Sequence, residues 1–217
     1  SPSRGLGDVY KRQEQKIVYQ QSKQFRDGKF NNTKAVPKEL SFSETMKLAY
    51  AFFTTKVPNG RPKEDLKVHK IDSVVVANYQ GEARLVWFGH SSFLLQMAGK
   101  NILIDPMFGK VAAPHPLLGG NRFNEEFPLE IEKLPFIDAV IYSHDHYDHL
   151  DYPSLLKIKE KTNHFFVPLG LSAHLEAWDV PTNKITELDW WQEIQFEKLT
   201  LVCTPCLLYT SDAADEE

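Results

Sequence analysis

The sequence predicts a layered α/β fold, in which helices cover a sheet. From Glu82 onward, short runs of β-type residues are separated by turn residues. A buried-type strand over residues 137–142 leads into a polar, histidine-rich segment, and a helical pattern opens at Tyr152-Pro153. Strands that alternate with helices in this way favour helices packed on a sheet.

The first element with a clear signal is a helix. Ser41 and Glu44 form a capping-box pattern ahead of a helical period, which predicts a helix over residues 43–56. The members of its apolar stripe are Met46, Ala49, Phe52 and Phe53. We interpret this stripe as a packing face, with a lipid-facing surface as the alternative.

The remaining elements follow in order. Strands are predicted over residues 84–88, 92–97, 101–104, 137–142, 164–167, 190–196 and 199–203. Helices are predicted over residues 152–160 and 171–178. Residues 109–135 are rich in proline and glycine before Arg122 and have no clear period, so we expect a long surface excursion.

The composition excludes several classes of protein. The chain has a formal charge of -4 and no basic run, so we expect no nucleic-acid partner. Its two cysteines are too few for a disulfide framework. We expect no transmembrane segment, because no apolar run approaches the roughly 18 residues that a span requires. A cytoplasmic location is expected, and an oligomer is left open.

Both ends of the chain differ from the rest. Residues 1–13 and 206–217 have no periodicity that continues into their neighbours, and both resemble translated sequencing-adapter sequence. We interpret them as non-native, which leaves residues 14–205 as the native segment with its original N-terminus missing. Genuine flexible termini are the alternative.

The strongest chemical signal is a short metal-ligand motif. His144, His146, Asp148 and His149 place three imidazoles and a carboxylate within six residues. If His144 and His146 leave the strand in extended geometry, both rings point to one side, and the following turn brings Asp148 and His149 nearby. We therefore expect two ligands for one metal ion and two for a neighbouring ion. The alternative is a set of hydrogen-bonded structural residues.

This motif and three other segments resemble one known family. A His-x-His-x-Asp-His pattern after a buried strand is similar to the signature of the metallo-β-lactamase superfamily. The chain further resembles the branch with N-acyl-phosphatidylethanolamine-hydrolysing phospholipase D and ascorbate-6-phosphate lactonase-like enzymes, over about residues 25–205. The segments that carry the likeness are Trp87–Leu95, Ile104–Pro106, Ile141–Leu150 and Glu187–Trp191.

The resemblance implies a four-layer αββα sandwich with two metal ions, of which this chain represents roughly the first half. Zinc is the expected metal, with manganese or iron as alternatives. His144 and His146 would bind the first ion, and Asp148 and His149 the second. Asp105 would orient the ligand loop, and its alternative is an aspartate that precedes proline in a turn. His90 would lie beside the pocket, and its alternative is a hydrogen-bonded core histidine.

The chain also departs from the family pattern. After Thr204-Pro205 the resemblance implies a third histidine, then a bridging aspartate and a final histidine, whereas residues 206–217 contain no histidine. We therefore expect a truncated and inactive fragment of a metal-dependent hydrolase.

The expected substrate in the family is a small-molecule or lipid phosphodiester. Two metal ions would activate a water molecule and polarise a phosphoryl oxygen, with Asp148 as both metal ligand and proton acceptor. A lactonase-type ester hydrolase and a non-catalytic metal-binding or interaction domain are the alternatives. An amidohydrolase-type barrel fits less well, because it does not account for the added Asp148-His149 pair.

Overall fold

The computed structural model describes residues 15–32, 41–55, 58–60, 62–64, 66–112, 122–123 and 126–205. The chain divides into two compact units. One comprises Ser1–Glu64 together with Pro205–Glu217, and the other is Asp65–Thr204. The interpretation of residues 1–13 and 206–217 as non-native falls outside the described residues.

The first unit carries short elements. A helix over residues 15–21 precedes a hairpin of β1 (Phe25–Arg26) and β2 (Lys29–Phe30). Helix α1 spans Phe42–Thr54, and its predicted capping box is confirmed, because Ser41 and Glu44 each accept a hydrogen bond from the other's amide. Of the expected packing face, Met46 is 54% exposed, so this residue is not packed within the unit. The side chains of Ala49, Phe52 and Phe53 lie outside the described part of the chain.

The second unit is built on a six-stranded mixed sheet in the order β3-β4-β5-β6-β7-β8. Its strands are β3 (Arg84–Gly89), β4 (Ser92–Met97), β5 (Lys100–Ile104), β6 (Ile137–Ile141), β7 (Thr162–Pro168) and β8 (Ile185–Leu188). The first three strands are antiparallel neighbours, and β5 to β8 run parallel to one another. The carboxyl ends of the parallel strands therefore meet at one edge.

The two faces of this sheet are covered differently. Helices α2 (Ser73–Ala77), α3 (Tyr152–Ile158) and α4 (Ser172–Ala177) contribute to the main core on one face. A separate hairpin of β9 (Glu193–Phe196) and β10 (Leu199–Val202) contributes to the core on the other face. This second core is centred on Ile102, Ala139 and Phe166. Helices, a central sheet and a second β layer together give the layered α/β arrangement that the sequence predicts.

Two expectations need correction. The predicted strand over residues 190–196 begins only at Glu193, because Trp191 lies in a turn with φ +68°. The expected surface excursion over residues 109–135 is wrong at its end, where Leu129, Ile131 and Leu134 are buried in the core. Its residues 113–121 and 124–125 lie outside the described part.

Helix α2 and strand β8 had no prediction of their own. Three valines at residues 74–76 argue locally against a helix. The fold nevertheless forms one, because Asp72 caps its first turn and Val76 is fully buried. Among the described residues, no helix combines the length and apolarity that a bilayer crossing requires.

Candidate metal centre

The metal-ligand motif lies where two parallel strands end side by side. Strand β6 stops at Ile141, and the motif follows directly. Strand β5 stops at Ile104, and the amide of Asp105 donates to the carbonyl of Ile141 over 2.9 Å. The parallel pairing of β5 with β6 therefore brings Asp105 to the start of the motif.

Asp105 is a buried carboxylate that contacts the motif through both oxygens. Its side chain accepts from the Ser143 amide over 2.7 Å and from the Ser143 hydroxyl over 2.6 Å. His149 Nδ1 lies 2.9 Å from the same carboxylate. Asp105 is 3% exposed and has φ +41°, a left-handed conformation that aspartate tolerates better than most residues.

These contacts determine which ring nitrogens are available for metal binding. An ionised carboxylate only accepts hydrogen bonds, so neutral His149 donates from Nδ1 and keeps a lone pair on Nε2. The single hydroxyl proton of Ser143 goes to Asp105, so Ser143 accepts from His144 Nδ1, which is 2.8 Å away. His144 then also has its lone pair on Nε2. Such fixing of the tautomer is typical of histidines that bind metals.

The three motif histidines lie close together. The ring centroids of His144 and His146 are 4.7 Å apart, and those of His144 and His149 are 3.9 Å apart. The backbone bends from Asp145 onward, so this proximity comes from a bend and turn and not from the extended strand that the sequence suggested. Burial and the neighbouring histidines lower the pKa of His144, which favours its neutral, metal-binding form.

Asp148 lies between His90 and His149. His90 Nε2 is 2.9 Å from Asp148 Oδ2, and His149 Nε2 is 3.6 Å from the same oxygen. The hydrogen bond from His90 is the main cause that lowers the pKa of Asp148 to about 2. Asp148 is therefore an anion throughout the neutral range.

His90 occupies the two-residue turn between β3 and β4. Gly89 pairs with Ser92 across this turn, and the backbone carbonyl of His90 accepts from Trp87 Nε1 over 2.7 Å. The ring of His90 meets that of His149 edge to face at 5.1 Å. The His90 side chain is 44% exposed, which contradicts the alternative of a core histidine.

A cavity of about 530 Å³ opens beside the motif. It is lined by Ala112, Asp145, His146, Tyr147, Asp148, Leu150, His174 and Trp178. His174 and Trp178 come from α4 and the residue after it, so this helix supplies one wall. This wall presents the ring of Trp178 and the imidazole of His174. His174 Nε2 lies 4.0 Å from Asp145 Oδ2.

The structure brings together all six site residues that the sequence singled out. The roles of Asp105 and His90 as partners outside the metal shell stay predictions. Ser143 and Ser92 were not predicted as site residues, although Ser143 directly precedes His144 and Ser92 lies two residues after His90. Ser92 is fully buried, and its hydroxyl donates to the Asp105 carbonyl and accepts from the Met107 amide. It therefore holds the turn that presents Asp105.

The donor set fits a divalent metal ion such as zinc. Neutral imidazole nitrogens and ionised carboxylates are ordinary zinc ligands. Ser143 and Asp105 contact Nδ1 of His144 and His149, respectively, which leaves the Nε2 lone pairs for the metal. Among the described residues, His90, Asp148 and His149 form a group whose ligand atoms lie within 4.8 Å of one another.

The chain is similar in sequence to several known proteins. An uncharacterized protein of Mycobacterium tuberculosis is 36% identical over 194 residues, which cover 88% of this chain and 50% of that protein. An N-acyl-phosphatidylethanolamine-hydrolyzing phospholipase D of Caenorhabditis elegans is 30% identical over 146 residues, covering 62% of this chain and 41% of that protein. A UPF0173 metal-dependent hydrolase of Saccharolobus solfataricus is 36% identical over 110 residues, covering 48% of this chain and 39% of that protein.

The chain thus spans half or less of the length of these curated relatives. Residues 100–216, more than half of the chain, match the family described as the beta-lactamase superfamily domain. That match confirms the fold class and the family resemblance read from the motif. The chain belongs to the beta-lactamase superfamily.

Proposed function

We propose that the protein carrying this sequence is a metal-dependent hydrolase of phosphodiester or phospholipid-like substrates, with two zinc ions. The observation that carries the proposal is the geometry of the motif. Three histidines and Asp148 converge at one sheet edge, and Ser143 and Asp105 leave the Nε2 lone pairs of His144 and His149 available.

Each residue has a distinct proposed role. His144 and His146 would hold one metal ion, and Asp148 and His149 the other. Asp105 would fix the ring of His149 through the hydrogen bond to Nδ1. When bound, the two ions would act as Lewis acids on the substrate. They would also lower the pKa of a water molecule, so that hydroxide is available as the nucleophile at neutral pH.

Asp148 has two proposed roles. Its pKa of about 2 keeps it anionic at neutral pH, as a metal ligand must be. Asp148 is also proposed as the proton acceptor of the reaction.

The preference for phosphodiesters rests on the relatives and on the cavity. The phospholipase D relative acts, by its name, on an N-acylated phospholipid. The cavity beside the motif combines Leu150 and Trp178 with the polar motif residues. It could receive an apolar group next to a metal-bound phosphate, as a lipid or small organic phosphodiester would require.

Two other functions remain as alternatives. A lactonase-type ester hydrolase would use the same metal ions to polarise a carbonyl instead of a phosphoryl oxygen. A non-catalytic metal-binding or interaction domain would keep the motif without turnover.

Hydrolysis is tested on two samples, since the chain spans about half the length of the curated relatives. One is the chain itself, and the other is the mycobacterial relative in which the matched segment is replaced by this chain. Both are supplied with zinc and assayed with bis-p-nitrophenyl phosphate and with a simple lactone. His146→Ala is the inactivating variant, and His69→Ala, an exposed histidine outside the motif, is its matched control.

The outcomes separate the three functions. Zinc-dependent phosphodiester cleavage in either sample, abolished by His146→Ala but not by His69→Ala, supports the proposal. Preferential cleavage of the lactone supports the lactonase alternative. Zinc bound at the motif without turnover in either sample supports the non-catalytic domain, and failure to bind zinc contradicts all three.

A further inference from the structure

His90 forms a three-residue cluster with the second half of the motif. Its Nε2 atom lies 2.9 Å from Asp148 Oδ2, and that oxygen lies 3.6 Å from His149 Nε2. The potential ligand atoms of the three residues all lie within 4.8 Å of one another. Because His90 lies 58 positions before Asp148 in the chain, only the folded sheet brings them together.

These separations are close to what one ion requires. Zinc binds nitrogen and oxygen at about 2.0–2.2 Å in tetrahedral geometry, which places neighbouring ligand atoms roughly 3.3–3.6 Å apart. The two measured separations, 2.9 Å and 3.6 Å, lie near this range. Small side-chain adjustments would therefore allow His90, Asp148 and His149 to share an ion.

The backbone of His90 is held in an unusual conformation. His90 has φ +46° at the first position of the two-residue turn between β3 and β4, where such turns usually carry glycine. Trp87 Nε1 donates to its carbonyl, which fixes this turn. A side chain other than glycine in left-handed backbone costs free energy, and such strain is concentrated at functional sites.

We propose that His90 is the third protein ligand of the second metal position, together with Asp148 and His149. This inference rests on the proposed metal-binding function and deepens it, because it adds a residue from the turn between β3 and β4 to the ligands of that position. In the described conformation His90 donates from Nε2 to Asp148, since a carboxylate can only accept. Metal binding would require the proton of neutral His90 to reside on Nδ1, so that the Nε2 lone pair faces the ion.

The direct test is the long-range ¹H–¹⁵N NMR spectrum of the histidine side chains in the full chain. Zinc alone is titrated, and a ring nitrogen that binds zinc shifts away from its metal-free position. His90→Asn identifies the His90 signals. Asparagine tolerates left-handed backbone, so this variant removes the imidazole and preserves the turn. His69→Asn serves as the matched control on an exposed histidine.

We expect Nε2 of His90 to shift on addition of zinc, together with the ligand nitrogens of His144, His146 and His149. Competition with a chromophoric chelator should show that His90→Asn weakens the second zinc equivalent by more than about 100-fold. A partner outside the metal shell typically changes affinity by only about 10–100-fold. His69→Asn should leave both zinc equivalents unchanged, and thermal melts check that each variant is folded.

The possible failures are distinguishable. If His149 shifts and His90 does not, His90 is not a ligand, and the proposed metal-binding function stands without it. If neither the motif histidines nor His90 shift with zinc, the proposed function fails as well. If His90→Asn does not fold, the zinc-induced shift in the wild-type spectrum still decides the question, with its signals identified by His90→Gly.

Discussion

Substitution of Asp105 by asparagine tests how the ligand loop is oriented. Asparagine keeps one oxygen, which can still accept from the Ser143 amide. Its amide NH₂ would face Ser143 Oγ and His149 Nδ1, where the carboxylate oxygen now accepts. His149 would then have to accept through Nδ1 and carry its proton on Nε2. That tautomer cannot bind a metal through Nε2, so affinity falls although the fold is preserved.

The magnitudes follow from the three hydrogen bonds at this buried side chain. Asp105→Asn should weaken zinc binding by about 10–100-fold, as loss of a partner outside the metal shell typically does. It should cost about 1 kcal/mol of folding free energy, since asparagine tolerates φ +41° and replaces part of the network. Asp105→Ala should cost about 4 kcal/mol, because three hydrogen bonds are lost and alanine is strained in left-handed backbone.

The assay combines urea denaturation of the metal-free protein with zinc competition against a chromophoric chelator. The two substitutions should differ clearly in stability and resemble each other in the loss of zinc affinity. If a folded Asp105→Asn protein binds zinc with wild-type affinity, the tautomer of His149 does not depend on Asp105. That result would contradict the proposed role of Asp105.

Three further predictions concern stability. The Tyr142 hydroxyl is buried without a hydrogen-bond partner in the described structure, and burial raises its pKa, so Tyr142→Phe should stabilise the protein by about 1 kcal/mol in urea denaturation. Ser92→Ala should destabilise it by about 2 kcal/mol in the same assay, because the buried Met107 amide and Asp105 carbonyl lose their partner. The lowered pKa of His144 means that the unfolded chain binds more protons as the pH falls below about 6.5. Metal-free protein should therefore lose stability between pH 7.5 and 5.5, and His144→Gln should reduce that loss; an equal loss in both proteins would contradict the assignment.

Local sequence signals predicted the middle of the fold well. Alternating apolar residues placed β3, β4 and β5 within one or two residues of their observed bounds. Ala98 and Gly99 marked the turn between β4 and β5, and both have positive φ. The capping box of α1 and the proline near the start of α3 were equally local. Such signals suffice where the element forms from residues adjacent in sequence.

Elements stabilised by distant partners were missed. Strand β8 has only four half-buried residues, and its order comes from parallel pairing with β7. Helix α2 forms despite its valines because Val76 fills the core. At Trp191 the large apolar ring suggested a strand, whereas the structure places it in a turn with 67% exposure.

The candidate site also combines residues that local sequence signals predict with contacts between distant segments that they do not predict. His144, His146, Asp148 and His149 could be recognised from their spacing, because all four lie in one short segment. The contact of His90 with Asp148 depends on the turn between β3 and β4, and the bond network of Asp105 depends on the pairing of β5 with β6. Neither contact could be derived from residue spacing, because each joins segments that are far apart in the chain.

Anomalous diffraction at the zinc absorption edge, from crystals of the zinc-supplied chain, would locate bound zinc ions directly. We expect a zinc peak within about 2.0–2.2 Å of ligand atoms of the motif, including the Nε2 atoms of His144 or His149. Asp105 should remain in contact with Nδ1 of His149. Zinc found only at histidines outside the motif, such as His69 or His164, or no zinc peak at the motif, would contradict the account.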